Sequence, residues 1–387
     1  MENFTFENKT KVIFGKETHL QAGREVKEYS KNILLHYGGG SIKKTGLYDR
    51  IITSLEEEGI KFHELSGVKP NPRLSLVREG IELCKKENID FILAIGGGSV
   101  IDSAKAIATG VLYDGDVWDF YTNKATPEQT LPVGVVLTIA AAGSEGSGSS
   151  VITNEDGWYK RPLDTDVIKP AFSILNPELT YSLPKYQTMC GVTDIMSHII
   201  ERYFTNVNQT DLTDRLCEAA LKTVINNGRI LLRDPDNYAA RAEIMWAGTL
   251  AHNGLLDTGR VGDWATHMIE HEVSGIYDVT HGAGLAALFP AWMRYVKNEN
   301  LDRFVQFAVR VWDVDLAFDN QEEIALEGIR RFEKFLSEIG MPTSLSQLDI
   351  PNDRFDEMAK KCVEFGPIGN LKELNEADVL HVLKHSC

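Results

Sequence analysis

Three of the chain's ten histidines, His267, His271 and His281, fall in the single stretch WATHMIEHEVSGIYDVTHG. A second stretch, GVTDIMSHIIERYF, supplies Asp194 and His198. Residues four apart share one face of a helix, so Asp194 with His198, and His267 with His271, form two pairs able to point at one centre. His281 opens a further helical segment. One carboxylate with imidazoles suits Fe2+ or Zn2+ and not Ca2+ or Mg2+. Five candidate donors exceed what a four-ligand site needs, and a catalytic ion keeps one position open for substrate oxygen. One histidine is therefore expected to have another task.

Two glycine turns carry a second chemistry. NILLHYGGGS and IDFILAIGGGS each run from a buried strand pattern into glycines. Such a turn lets a phosphate approach the backbone, and the following helix N-terminus offers N–H groups and a positive dipole end. Gly38, Gly39, Gly40 and Ser41 form one candidate cradle; Gly97, Gly98 and Ser99 form the other. Neither matches the G-x-G-x-x-G fingerprint. Lys43 and Lys44 follow the first turn, with no acidic residue before Asp49. An acidic side chain receives a ribose 2′-hydroxyl, whereas a basic or hydroxyl-bearing site tolerates a 2′-phosphate. Ser41 with these lysines points to NADP(H) over NAD. Asp102 and Lys105 read as a surface pair, or Asp102 faces the cofactor ribose.

The elements that must position these residues divide the chain in two. Up to about residue 182, buried apolar runs alternate with amphipathic helices, the pattern of a parallel sheet covered on both faces. From 183 to 387 the periodicity is helical and strand patterns stop. The expected fold is an α/β N-terminal domain with a Rossmann-like parallel sheet, over 1–182, and an all-α C-terminal domain over 183–387. NFTFE near the start reads as an edge strand able to pair with another subunit, hence a homodimer. Five cysteines without a C-x-x-C pair read as reduced thiols, with Cys84 and Cys217 on core-facing helical positions. A net charge of −16 argues against nucleic acid or an anionic membrane as partner. The absence of a signal-peptide pattern or a spanning apolar run places the protein in the cytoplasm.

With these motifs the sequence resembles the iron-containing (group III) alcohol dehydrogenases, especially their NADPH-dependent butanol dehydrogenase and broad-range aldehyde reductase branch. The resemblance covers essentially the whole chain and is most specific at Asp194–His198 and in GDWATHMIEHEVSGIYDVTHG. It implies that Asp194, His198, His267 and His281 bind the metal, Fe2+ or Zn2+, and that His271 lies near the nicotinamide without ligating. AIGGGSVIDSAKAIA matches the family's pyrophosphate turn, implicating Gly97, Gly98, Ser99 and Asp102. The resemblance further implies Asn71, Thr138, Lys160, Ser147 and Ser182 at the cofactor. Family members preferring NAD tend to carry aspartate where this chain has Gly39. The family's T-x-A-G-T-G-S-E appears here as TIAAAGSE, so Ala141 and Ala142 replace glycine and threonine and the hydroxyl expected at one phosphate contact is absent.

The implied reaction is hydride transfer between a small alcohol or aldehyde and NADP(H), with the ion polarising the substrate oxygen. His271 would transfer a proton or position the ring, since imidazole titrates near neutrality. Three other activities are compatible with parts of the pattern. Glycerol or polyol dehydrogenases share the architecture but favour zinc and NAD. A dehydroquinate synthase-like lyase would need a basic substrate pocket, and no dense Lys/Arg cluster adjoins the metal histidines. A non-catalytic metal- or nucleotide-binding protein is the third. Trp264, Phe289 and Trp292 are candidates for an apolar substrate pocket or for plain core packing.

Overall fold

The computed structural model describes residues 1–317 and 320–387. Its strands are β1 (Lys11–Phe14), β2 (Asn32–Tyr37), β3 (Lys61–Leu65), β4 (Phe91–Gly96), β5 (Val133–Leu137), β6 (Ser149–Asn154), β7 (Tyr159–Asp164) and β8 (Phe172–Leu175). Helices α1 (Ala22–Lys27), α2 (Ser41–Lys44), α3 (Leu47–Glu57), α4 (Leu74–Glu87), α5 (Gly98–Val111) and α6 (Trp118–Tyr121) intervene. Then follow α7 (Lys185–Tyr203), α8 (Asp211–Arg233), α9 (Tyr238–His252), α10 (Ala265–Tyr277) and α11 (His281–Val296). The last helices are α12 (Leu301–Trp312), α13 (Gln321–Glu338), α14 (Phe355–Cys362) and α15 (Glu376–His385).

Six strands form one sheet in the order β1-β8-β5-β4-β2-β3, and every neighbouring pair is parallel. Side chains alternate across a strand, and here both faces are apolar. Leu34, Ile92, Ala94 and Val135 pack with residues of α4 and α5 on one side. Ile33, Leu35, Phe91 and Leu93 pack with residues of α1 and α3 on the other. That double burial is why the strands read as continuous apolar runs. The chain passes from β2 outward to β3, then returns to lay β4 on the opposite side of β2. The strand order thus reverses between β2 and β4, and their register pairs Tyr37 with Ile95. Ligands of open α/β sheets bind at such a switch point, outside the carboxyl ends of the strands. Both glycine turns lie there.

The chain divides into two units. One comprises Glu7–Leu183 with Asp236–Asn253; the other comprises Met1–Phe6, Pro184–Pro235 and Gly254–Cys387. The main cut falls beside the expected boundary, but α9 belongs with the sheet unit and the first six residues with the helical one. Within the sheet unit, α9 has a clear anchor: Thr249 Oγ1 donates to Glu145 Oε1 at 2.6 Å. In the helical unit the backbone N–H of Glu2 donates to the Gly259 carbonyl at 2.9 Å.

Two expectations are corrected, and one element lies outside them. NFTFE forms no strand: the edge strand is β1, further along, and Phe4 and Phe6 are exposed. Asp102 and Lys105 are no surface pair, because Lys105 is fully buried. An antiparallel hairpin, β6–β7, interrupts the parallel pattern. Phe289 and Trp292 sit fully buried in an aromatic cluster with Phe204 and Phe332, so they are core.

Helices α7 and α11 approach closely at Gly282, where an added Cβ would lie 2.2 Å from the Cys190 carbonyl oxygen. Backbone cannot yield there as a flexible side chain would. Gly282→Ala should therefore destabilise the chain by about 1–3 kcal/mol, read as a lowered unfolding midpoint in urea.

Candidate functional site

In the helical unit, α7 contributes Asp194 and His198, α10 contributes His267 and His271, and His281 is the first residue of α11. Asp194, His198, His267 and His271 are buried, and the His281 side chain is partly exposed. Asp194, His267 and His281 each bring one ligand atom within 4.8 Å of the others. The His281 Nε2 lies 3.8 Å from Asp194 Oδ1. His198 adjoins this group, with Nδ1 3.5 Å from Asp194 Oδ1 and its ring centroid 4.7 Å from that of His267. His271 lies one step away, 5.8 Å between centroids from His281, in a second grouping with Glu270 and His281.

Two buried glutamates fix the imidazoles. Glu201, on α7, accepts from His267 Nδ1 at 2.9 Å and also from the backbone N–H groups of His267 (3.0 Å) and Trp264 (2.8 Å). Those N–H groups are at the start of α10, where a helix leaves donors without intrahelical partners, so one carboxylate caps the helix and orients its histidine. Burial pushes Glu201 up to about 8, against the pull of the His267 and Trp264 N–H groups. Glu270, on α10, accepts from His281 Nδ1. A proton held on Nδ1 leaves the lone pair on Nε2, the atom turned to the opposite side of the ring. Carboxylate–histidine pairs of this kind hold ligand histidines in their tautomer and orientation. The donor set of one carboxylate and neutral imidazoles fits a borderline divalent ion such as Fe2+ or Zn2+.

Neither glutamate was singled out from the sequence. The signal was present: Glu201 follows Asp194 by seven and His198 by three residues, and Glu270 follows His267 by three, all spacings that share a helix face.

In the sheet unit the two glycine turns cap adjacent strands. Gly40 adopts φ 111° before α2, a left-handed conformation that favours glycine, and α5 begins at Gly98. Thr138 follows β5, its N–H donating to the Gly96 carbonyl at 3.0 Å. Gly38, Gly39, Gly40, Ser41, Gly97, Gly98, Ser99 and Thr138 are thus gathered at the carboxyl ends of β2, β4 and β5. Lys160 Nζ donates to Asn71 Oδ1 at 3.0 Å, and both residues are buried. Ser182 is exposed in the turn after β8.

Behind the second turn, Lys105 Nζ donates to the carbonyls of Ser144 (2.7 Å), Ser147 (2.9 Å) and Ser149 (2.8 Å). Asp102 accepts from Ser144 Oγ at 2.6 Å and from the Val151 N–H at 3.0 Å. Asp102 and Lys105 therefore shape the 144–151 loop, which includes Ser147, and Asp102 is engaged there and not merely turned to solvent. Burial lowers Lys105 to about 8, against the attraction of Asp102. A Cβ on Gly98 would lie 3.2 Å from that of Ala142, so the position that has lost its threonine hydroxyl borders the second turn.

A switch-point cradle in one unit and a carboxylate–imidazole cluster in the other define the class of a metal-dependent dinucleotide oxidoreductase. The chain matches the iron-containing alcohol dehydrogenase family over residues 9–177 and that family's C-terminal domain over residues 188–387. It belongs to the iron-containing alcohol dehydrogenases. It is 50% identical over its full length to a probable NADH-dependent butanol dehydrogenase of Bacillus subtilis, all of which is covered. It is 34% identical to an NADPH-dependent aldehyde reductase of Escherichia coli, across 95% of this chain and 94% of that one. The crystal structure of an NADH-dependent butanol dehydrogenase of Thermotoga maritima superposes with a TM-score of 0.96 at 41% identity, covering 100% and 99% of the two chains. The chain is accordingly an alcohol dehydrogenase that interconverts alcohols and aldehydes with a nicotinamide dinucleotide.

Replacing Glu201 by Gln keeps its shape but turns one of its two acceptor oxygens into a donor, so the bonds to His267 Nδ1 and to the N–H groups at the start of α10 cannot all persist. Zn2+ affinity, measured by competition with a chromophoric chelator, should fall by roughly 10–100-fold, with the helical content in circular dichroism unchanged.

Proposed function

We propose that the chain interconverts short primary alcohols, butanol among them, and their aldehydes, with Asp194, His198, His267 and His281 holding one Fe2+ or Zn2+. The observation that carries this is the convergence of Asp194, His267 and His281 with both histidines oriented by buried glutamates. The names of the butanol dehydrogenases and the aldehyde reductase among its relatives support the substrate class. When bound, the ion would supply Lewis-acid polarisation of the substrate oxygen, and the dinucleotide would give or take the hydride. Asp194 contributes the anionic charge of the ligand set. Glu201 and Glu270 keep protons on the Nδ1 atoms of His267 and His281, so that both Nε2 atoms serve as donors. His271, buried beside His281, takes up the proton of the alcohol and returns it in the reverse direction.

On the cofactor side, Gly38–Ser41 and Gly97–Ser99 receive the phosphates, with Asn71, Thr138, Ser147, Lys160 and Ser182 completing the site. Open space at Gly39, where an added Cβ would meet nothing within 4 Å, supports entry of NADP(H) as well as NAD(H). The working form is a cytoplasmic homodimer. In support, no helix among the described residues is long and apolar enough to cross a membrane, and β1 stands at the sheet edge with Phe14 exposed.

The direct test is oxidation of NADH and NADPH against a panel of aldehydes by apoprotein reconstituted separately with Fe2+ and Zn2+. Turnover with butanal that depends on the added ion is expected; no turnover of butanal, with activity only in the reverse assay of glycerol or polyols with NAD+, would contradict the substrate class. His271→Ala should lower kcat by on the order of 10²–10⁴-fold while one ion per chain stays bound; loss of the ion would contradict the proton role.

A further inference from the structure

The first glycine turn has an acidic neighbour that its own helix does not supply. Glu64 is the next-to-last residue of β3, the strand lying beside β2 in the sheet. Tyr37, the last residue of β2, donates its hydroxyl to Glu64 Oε2 at 2.5 Å, and Tyr48 donates to Oε1 at 2.8 Å. Lys43, two residues past Ser41, stands 3.6 Å from Oε2 and 4.4 Å from the centre of the Tyr48 ring. In mononucleotide-binding βαβ units the acid that receives the ribose 2′-hydroxyl sits at the end of the strand following the glycine turn, and a nearby cation accommodates a 2′-phosphate. Glu64 and Lys43 occupy these two places, and they are paired with each other.

We propose that Glu64 selects the dinucleotide, favouring NAD(H) by holding Lys43 and by repelling a 2′-phosphate. The inference rests on the dinucleotide reading of the glycine turns. Glu64 remains a carboxylate throughout the working range: although burial acts against it, the hydroxyls of Tyr37 and Tyr48 and the Lys43 ammonium hold it below its ordinary value. Burial, with Glu64 beside it, pushes Tyr48 up to about 12, so its hydroxyl stays a donor. The two tyrosines thereby fix the carboxylate's position, which a flexible surface glutamate would lack. A 2′-phosphate would have to compete with this carboxylate for Lys43, whereas a 2′-hydroxyl needs only an acceptor, and a carboxylate has lone pairs beyond those two hydroxyls. The earlier preference for NADP(H) followed from Lys43 and Lys44 with no acid before Asp49; the sheet brings the counter-charge from the adjacent strand.

The test is binding of NADH and NADPH, without substrate, to Zn2+-loaded wild-type, Glu64→Gln and Lys43→Ala proteins by calorimetry. Wild type should favour NADH. Glu64→Gln should tighten NADPH by about tenfold relative to NADH, a gain that shrinks in high salt as screening sets in. Lys43→Ala should shift the ratio the other way, since the carboxylate is then uncompensated. An unchanged NADPH-to-NADH ratio in Glu64→Gln, with both dinucleotides binding, overturns this inference. Failure of either dinucleotide to bind wild type overturns the underlying cofactor reading instead.

Discussion

The site depends on two carboxylate–imidazole bonds, Glu201 to His267 and Glu270 to His281. An imidazole can present either nitrogen, and only a partner on Nδ1 commits it to offering Nε2. A carboxylate with no exposed side-chain surface is costly unless something compensates it. Here Glu201 gathers three N–H donors and Glu270 one imidazole. The cost of burying these acids is thus tied to the ordering of His267 and His281. The same bonds explain why α7, α10 and α11 must pack closely. Glycine at 282 lets α11 come against the α7 backbone, and a Cβ on Gly284 would lie 2.7 Å from Glu270 Oε1.

The sheet unit works by a different constraint. A parallel sheet whose strand order reverses leaves an opening at the carboxyl ends of its central strands, and a glycine turn follows both β2 and β4 there. Backbone alone suffices to approach a phosphate at such turns. What the backbone cannot do is choose between dinucleotides, and that choice falls to side chains on the neighbouring strand. Lys105 stabilises the adjoining loop from beneath, its ammonium shared among the carbonyls of Ser144, Ser147 and Ser149.

Much of this was legible in the sequence. The parallel sheet showed in apolar runs too long for one-sided strands, and the helical half showed in sustained 3.6-residue periodicity. The clustering of one carboxylate with histidines showed because Asp194–His198 and His267–His271 repeat one spacing. The glutamates did not show, because glutamate on a helix usually faces solvent and only the packing of α7 against α10 and α11 reveals otherwise. Lys105 was misread for the same reason. The β6–β7 hairpin was missed although EDGW, which contains Asp-Gly, separates its strands, since serines, asparagine and lysine weaken its apolar alternation. Glu64 was overlooked because proximity across a sheet is set by strand order, not by distance along the chain.

The central claim is a single ion seated on oriented histidines. X-ray absorption at the zinc edge of Zn2+-reconstituted protein tests it most directly. The expected spectrum shows one ion per chain in a nitrogen and oxygen shell with imidazole scattering, reduced in the Asp194→Ala and His267→Ala proteins. A sulfur-containing shell, or an ion retained unchanged by both variants, would contradict it.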